Sequence, residues 1–254
     1  MIPFVHTDSI VRKIWGKSDT ILFIFAGAAA EFALNKAVDW LYFTGRLPAD
    51  PIGRLFSTVS YARQIVFAQK EDAEKAIDKI TSIHAAVENA RGAAIPDWAY
   101  RDVLFMLIHY SIAAYELLEH KLTSEQKEEV YSVFLRIGQR MKIPDLPQDY
   151  KAWLPVREQH MQQDLNYSKW TKDLFLQYKK SLGSTRYKVL LEAQILVVPE
   201  TVALLLNFRR ASLLAPVVPL YQISRLVKLD SAIKWLLLPP AYKKQIEELD
   251  VVPR

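Results

Sequence analysis

Between Asp97 and about Lys121 the chain leaves no stripe for water: Val103, Leu104, Phe105, Met106, Leu107 and Ile108 follow one another without a break. A helix that is apolar almost all round has to be enclosed by other elements. Those other elements read as helices too. Apolar residues recur every three or four positions along most of the 254 residues, and no stretch alternates with the period of two that a strand needs. Thirteen prolines against seven glycines fit helices punctuated by proline better than hairpins. The expectation is an all-α fold, one multi-helix domain over 1–254, with a core in 8–165 and apolar, basic helices in 166–254.

Thr7 or Asp8 is placed to cap a first short helix through Trp15, ended at Gly16. A strongly apolar helix follows from about Asp19 to Asn35, and another runs through Val38, Trp40, Leu41 and Phe43 to Gly45, with Arg46–Ala49 as a connector. Asp50-Pro51 is a start signal, since Asp accepts free N–H groups and Pro suits the first helical position. That helix carries a polar stripe of Arg54, Thr58 and Tyr61. The next spans about Glu71 to Asn89, and Gly92–Pro96 separates it from the enclosed helix. Thr123-Ser-Glu-Gln126 is a capping-box pattern that opens a helix to about Met141. Pro147–Leu165, Ser168–Leu182 and Ser184–Phe208 (which contains Pro199) read as further helices. A broken apolar region, Ala211–Leu238, leads to Pro239-Pro240 and a polar tail.

Several chemistries are excluded by what the chain lacks. Without cysteine there is no disulfide, thiolate metal site, thiol nucleophile or covalent haem attachment. There is no phosphate-cradling glycine motif, no G-x-S-x-G elbow, no H-E-x-x-H and no Glu-x-x-His pair for a di-iron bundle. His84 with Glu88, and Glu116 with His120, share helix faces but supply only two ligands each, too few for zinc. No nucleic-acid module is present. Residues 151–254 hold 16 Lys+Arg against 9 Asp+Glu, while the first 150 hold 17 against 19. Because those basic residues alternate with apolar runs, a membrane surface ranks first among partners of the C-terminal third, beside the simpler reading of a solvated basic face. Met1–Trp15 lacks a secretory pattern and no segment has the ~18 uncharged residues of a spanning helix, so a cytoplasmic protein is expected.

Two histidines remain. Ala73, Ile77, Ile80, His84 and Val87 follow one helical face, and His109 lies within the enclosed helix. An inward imidazole is ordinarily a hydrogen-bonded core residue; the alternative is the axial ligand of a non-covalent haem in an apolar slot. In that second reading Nδ1–H of His84 bonds a backbone carbonyl one turn back, near Ile80. Arg54 then pairs with a propionate or stabilises charge on oxygen, and Thr58, one turn on, donates a hydrogen bond there. Both are also explained as polarity on a helix surface.

Asp50-Pro-Ile-Gly-Arg54-Leu-Phe-Ser-Thr58, followed by His84-Ala-Ala-Val87, resembles the signature of the MpaB-like oxygenases, which include the latex-clearing rubber oxygenases. Asp102-Val-Leu-Phe-Met-Leu-Ile-His109 is similar to that family's later Asp-Pro-x-Leu-Leu-x-Trp-Val-His stretch, and Ile143-Pro144 after a long helix also matches. The resemblance covers about 8–165. It implies an all-helical protein with a globin-like core that binds haem b and cleaves isoprenoid double bonds with dioxygen. Carried over by position, His84 matches the proximal iron ligand, Arg54 and Thr58 the polar pair on the other haem face, and His109 a histidine without an assigned role. Ser57 stands where rubber-cleaving members have a lysine able to ligate iron, so an open or water-filled distal position is expected. Asn89 replaces a common glycine and Leu107 the usual tryptophan.

The resulting expectation is a haem-dependent oxygenase with dioxygen and an apolar, isoprenoid-like substrate as partners. Ser57, Tyr61 and His109 stand beside His84, Arg54 and Thr58 as cofactor-site candidates. A non-catalytic carrier of a hydrophobic ligand or haem, and a membrane-surface module using Ala211–Lys244, are the alternatives.

Overall fold

In the computed structural model, residues 2–43, 45 and 49–226 are described, with the side chains of Leu41, Leu55 and residues 223–226 left aside. The connector residues 46–48 and the tail beyond 226, including the last twelve residues of Ala211–Leu238, lie outside the described residues. Eleven helices are named among the described residues, and no strand: α1 Ile10–Trp15, α2 Ser18–Leu34, α3 Val38–Phe43, α4 Pro51–Phe67, α5 Lys70–Arg91 and α6 Asp97–Leu118. They continue as α7 Ser124–Arg140, α8 Tyr150–Asp164, α9 Lys169–Val197, α10 Glu200–Leu205 and α11 Val217–Leu226. The all-α expectation holds.

The local signals act as elementary chemistry requires. Asp50 caps α4, its Oδ1 accepting from Gly53 N–H at 2.8 Å, with Pro51 in the first turn. Thr123 and Gln126 form the reciprocal capping box of α7. Gly92 closes α5 in the left-handed conformation that a side chain disfavours. Two expectations shift. Ser9, not Thr7 or Asp8, caps α1, because the chain first turns helical at Ile10 and Ser9 Oγ accepts from Val11 N–H at 3.1 Å. Pro199 does not sit inside a helix; α9 stops at Val197 and α10 starts afresh at Glu200. The gap expected near Gly183 is a kink within α9, where φ is 73°.

Helix α6 is the axis of the assembly. Its side chains Phe105, Ile108, Tyr110 and Ala114 are fully enclosed, although Val103 keeps 39% exposure. It packs most extensively on α2, and α9 lies against the same α2. Trp15, Phe105, Tyr110, Tyr131, Phe134 and Trp153 fill the main core. A smaller cluster of Ala29, Ala33, Val38, Ile52, Leu174 and Tyr178 joins α2, α3, α4 and α9. It is edged by the half-buried aromatics Phe32, Tyr42, Phe56 and Tyr187. The N-terminal strap clips the α4–α5 turn, with Phe4 N–H donating to Ala68 C=O at 3.1 Å and Lys70 N–H to Ile2 C=O at 2.9 Å.

Candidate functional site

Only Ala68 and Gln69 separate α4 from α5, so the two helices fold back on each other and pack side by side. Arg54 is thirteen residues before the end of α4 and His84 fourteen after the start of α5, which sets them at the same level of the helical hairpin. The electrostatics agree: burial first, and the Arg54 charge second, hold the His84 imidazole below its ordinary pKa, against the opposing pull of Glu88. The ring is therefore neutral at pH 7, the form that ligates a metal. Arg91, two turns on, pairs with Asp39 at 2.7 Å and lies over the Trp40 ring at 3.9 Å, anchoring this end of α5 to α3.

The apolar face expected for α5 exists, as a gradient. Ala73 and Ile77 are buried, whereas Ile80, His84 and Val87 are half-buried toward the open end. The expected Nδ1–H bond to the Ile80 carbonyl is not formed. His84 Nδ1 is buried without a hydrogen-bond partner. Instead the His84 ring meets Tyr100 at 5.2 Å between centroids and 62° between planes.

Around Arg54 the hydroxyls turn inward on their own helix. Ser57 Oγ donates to the Arg54 carbonyl at 2.8 Å and Thr58 Oγ1 to the same carbonyl at 3.2 Å. Thr58 thus spends its proton locally in this structure and presents lone pairs outward. Arg54, Ser57, Thr58 and Tyr61 are all half-buried. Tyr61 sits nearer the turn, with Lys79 Nζ 6.0 Å from its ring.

His109 belongs to different surroundings. It follows Tyr100 by nine residues, which on a straight helix means the opposite face and about 13–14 Å along the axis. There it faces α8: burial, then the charge of Arg157, pushes its imidazole down to about 3. The structure accordingly brings His84 and Arg54 together and sets His109 apart, on the far side of α6.

That far side holds a buried polar network for which the sequence carried few signals. Glu31 of α2 accepts from Arg157 Nη2 and, at 2.9 Å, from Tyr110 O–H. Asp102 accepts from Asn35 Nδ2 at 2.7 Å and lies 2.6 Å from His160 Nδ1, which is also 3.2 Å from Asp164. The visible hint was Glu31, a charge interrupting the apolar run of α2. Among the described residues Asp102, His160 and Asp164 are the one group of histidine and carboxylates close enough for a metal. Two ligands of one ion, each about 2.0–2.2 Å from it, stand roughly 3 Å or more apart. At 2.6 Å the Asp102–His160 contact has hydrogen-bond length, so the group reads as a clasp tying α6 to α8.

The geometry so far defines an all-helical domain in which a half-buried imidazole and an arginine stand at one level of a helical hairpin. The family match is more particular. The description "ER-bound oxygenase mpaB/B'/Rubber oxygenase, catalytic domain" matches residues 13–246, and the chain belongs to that family of oxygenase catalytic domains. No curated protein and no solved structure matches the chain. No described helix is long and apolar enough to cross a membrane.

Proposed function

We propose that this chain is a haem b-dependent oxygenase acting with dioxygen on an apolar, isoprenoid-like substrate. The observation that carries the proposal is His84: a neutral imidazole with an unpartnered buried nitrogen, level with Arg54 across the α4–α5 hairpin. Membership of an oxygenase family supports it. The residues fit the group. His84 would offer Nε2 to iron and Arg54 a cation to a propionate, while the half-buried Phe32, Phe56 and Tyr187 edge the apolar cluster that α4 shares with α2, α3 and α9. Bound there, haem supplies the activation of dioxygen needed to cleave or oxygenate a carbon–carbon double bond.

The chain's own part is orientation and charge. Burial, helped by the Arg54 charge, keeps His84 unprotonated, and Arg54 in this reading either pairs with a propionate or stabilises negative charge developing on oxygen. Thr58 contributes as a donor only after its hydroxyl rotates away from the Arg54 carbonyl. Ser57 and Tyr61 flank the same helix face, and Ser57, unlike lysine, would supply no ligand to iron. His109 acts from the α8 side of α6. A globin-like core, a single domain over 1–254 and a cytoplasmic location complete the reading. So does contact of the C-terminal third with a membrane surface, a reading that the exposure of Leu204, Leu213 and Leu220 supports.

Absorption spectroscopy of the purified protein after haem-supplemented expression tests the proposal. A Soret band that disappears in His84→Ala, together with oxygen uptake in the presence of isoprenoid lipids, is the expected result. A chain that takes up no haem sinks it. A Soret band without turnover on any alkene assigns a carrier instead.

A further inference from the structure

We propose that Tyr100, anchored by Glu88, is the positioning residue that sets the plane of the His84 imidazole, an inference that rests on the reading of His84 as the iron ligand. A metal-bound histidine is ordinarily steered by a hydrogen bond from its second ring nitrogen. Here that nitrogen is buried and bonded to nothing. Glu88, one turn on and on the same face, is the acceptor within reach by sequence. Its Oε1 is committed elsewhere: it accepts from Ile95 N–H at 2.8 Å and from Tyr100 O–H at 3.1 Å. The carboxylate therefore holds the start of α6 against α5 and fixes the phenol ring.

The phenol ring in turn meets the imidazole edge-on, at 5.2 Å and 62°. Edge-to-face contacts of this kind prefer one relative orientation. Rotation about the His84 side chain is thus limited by an aromatic wall and not by a hydrogen bond. Burial and the Glu88 charge both raise the Tyr100 pKa, so the hydroxyl stays a donor throughout the working range. The result is an iron ligand whose Nδ1 carries no acceptor and whose plane is set from the side.

Four variants separate the parts. Tyr100→Leu removes wall and anchor and should weaken haem affinity on the order of tenfold, the lower end of what losing an orienting partner costs. It should also shift the iron–histidine stretching band in resonance Raman. Glu88→Ala should move the same band, whereas Glu88→Gln, whose amide oxygen can accept the same two bonds, should restore it. Tyr100→Phe keeps the wall and should fall between. An unchanged band and affinity in folded Tyr100→Leu overturns the inference; if that variant does not fold, equal spectra for Glu88→Ala and Glu88→Gln overturn it. A wild-type chain that takes up no haem overturns the functional reading instead. The clamp is then read on the haem-free protein by NMR: the His84 imidazole holds one side-chain rotamer against the ring at position 100 in the wild type and in Tyr100→Phe and averages over rotamers in Tyr100→Leu, and equal averaging in the two variants overturns it.

Discussion

Glu31 and Arg157 meet in the interior with 1% and 3% of their surfaces exposed, and Tyr110 donates to the same carboxylate oxygen that Arg157 holds. Burial works against the guanidinium charge, yet the carboxylate outweighs it and keeps Arg157 charged. The pair links α2 to α8 across the flank of α6, so it fixes the helix that also carries Tyr100.

Breaking one side of such a pair costs more than removing both. Glu31→Gln leaves the enclosed Arg157 charge with only the Asp102 carboxylate to offset it and should lower stability by about 3 kcal/mol in urea denaturation. Glu31→Leu combined with Arg157→Met removes both charges and should recover most of that loss. A double variant no more stable than Glu31→Gln would show that packing, not charge, governs the site.

His109 gives the fold a defined acid sensitivity. In the unfolded chain a histidine titrates near about 6.5; in the folded chain this one is pushed down to about 3. Above the unfolded value neither state binds the proton and stability does not respond. As pH falls below it, only the unfolded chain takes up the proton, so stability drops by about 1.4 kcal/mol per pH unit until the folded pKa is approached. His84, also held low, adds to the drop in the same direction. Urea denaturation at pH 7, 6 and 5 should show this slope, and His109→Gln should flatten it by about one proton. An identical slope in that variant would remove His109 from the account.

At Gly27 the Tyr110 ring of α6 lies directly against the backbone of α2. A Cβ built there would stand 2.2 Å from Cδ1 and Cε1 of Tyr110. The ring is enclosed and its hydroxyl is tied to Glu31, so it cannot swing away cheaply. Gly27→Ala should therefore cost about 1–3 kcal/mol of stability. Adding Tyr110→Leu should be less than additive, because the smaller side chain vacates the clash. Strict additivity in thermal unfolding would place the strain elsewhere.

Local chemistry was legible in the sequence, and pairing between distant helices was not. Asp50-Pro51 and the Thr123–Gln126 box act through neighbours three residues away, so their patterns announce them. The enclosed character of α6 follows from its composition alone. By contrast, Glu31 and Arg157 are 126 residues apart, and Asp102 and His160 are 58 apart. No period in either helix marks which charge will meet which. His109 shows the same limit from the other side: spacing establishes that it points inward, but not that it faces α8 while His84 faces Tyr100. Arg54 and His84 were joined in the sequence only through the haem reading and the family resemblance; the two-residue turn between α4 and α5 is what sets them at one level.

That pairing yields the most direct check on the candidate site. Arg54 lowers the His84 pKa by disfavouring a second positive charge nearby, on top of the larger effect of burial. Arg54→Met keeps much of the side chain's bulk and removes the charge, so the His84 midpoint should rise toward the ordinary histidine value without reaching it, since burial persists. Glu88→Gln should move it the other way, because Glu88 favours the protonated ring. Both shifts are read from the imidazole resonances of the haem-free protein across pH 4 to 8. Opposite signs in the two variants place the ring between the two charges. A midpoint indifferent to Arg54 would mean that the guanidinium does not face the imidazole, and Arg54 would lose its place opposite the proposed iron ligand.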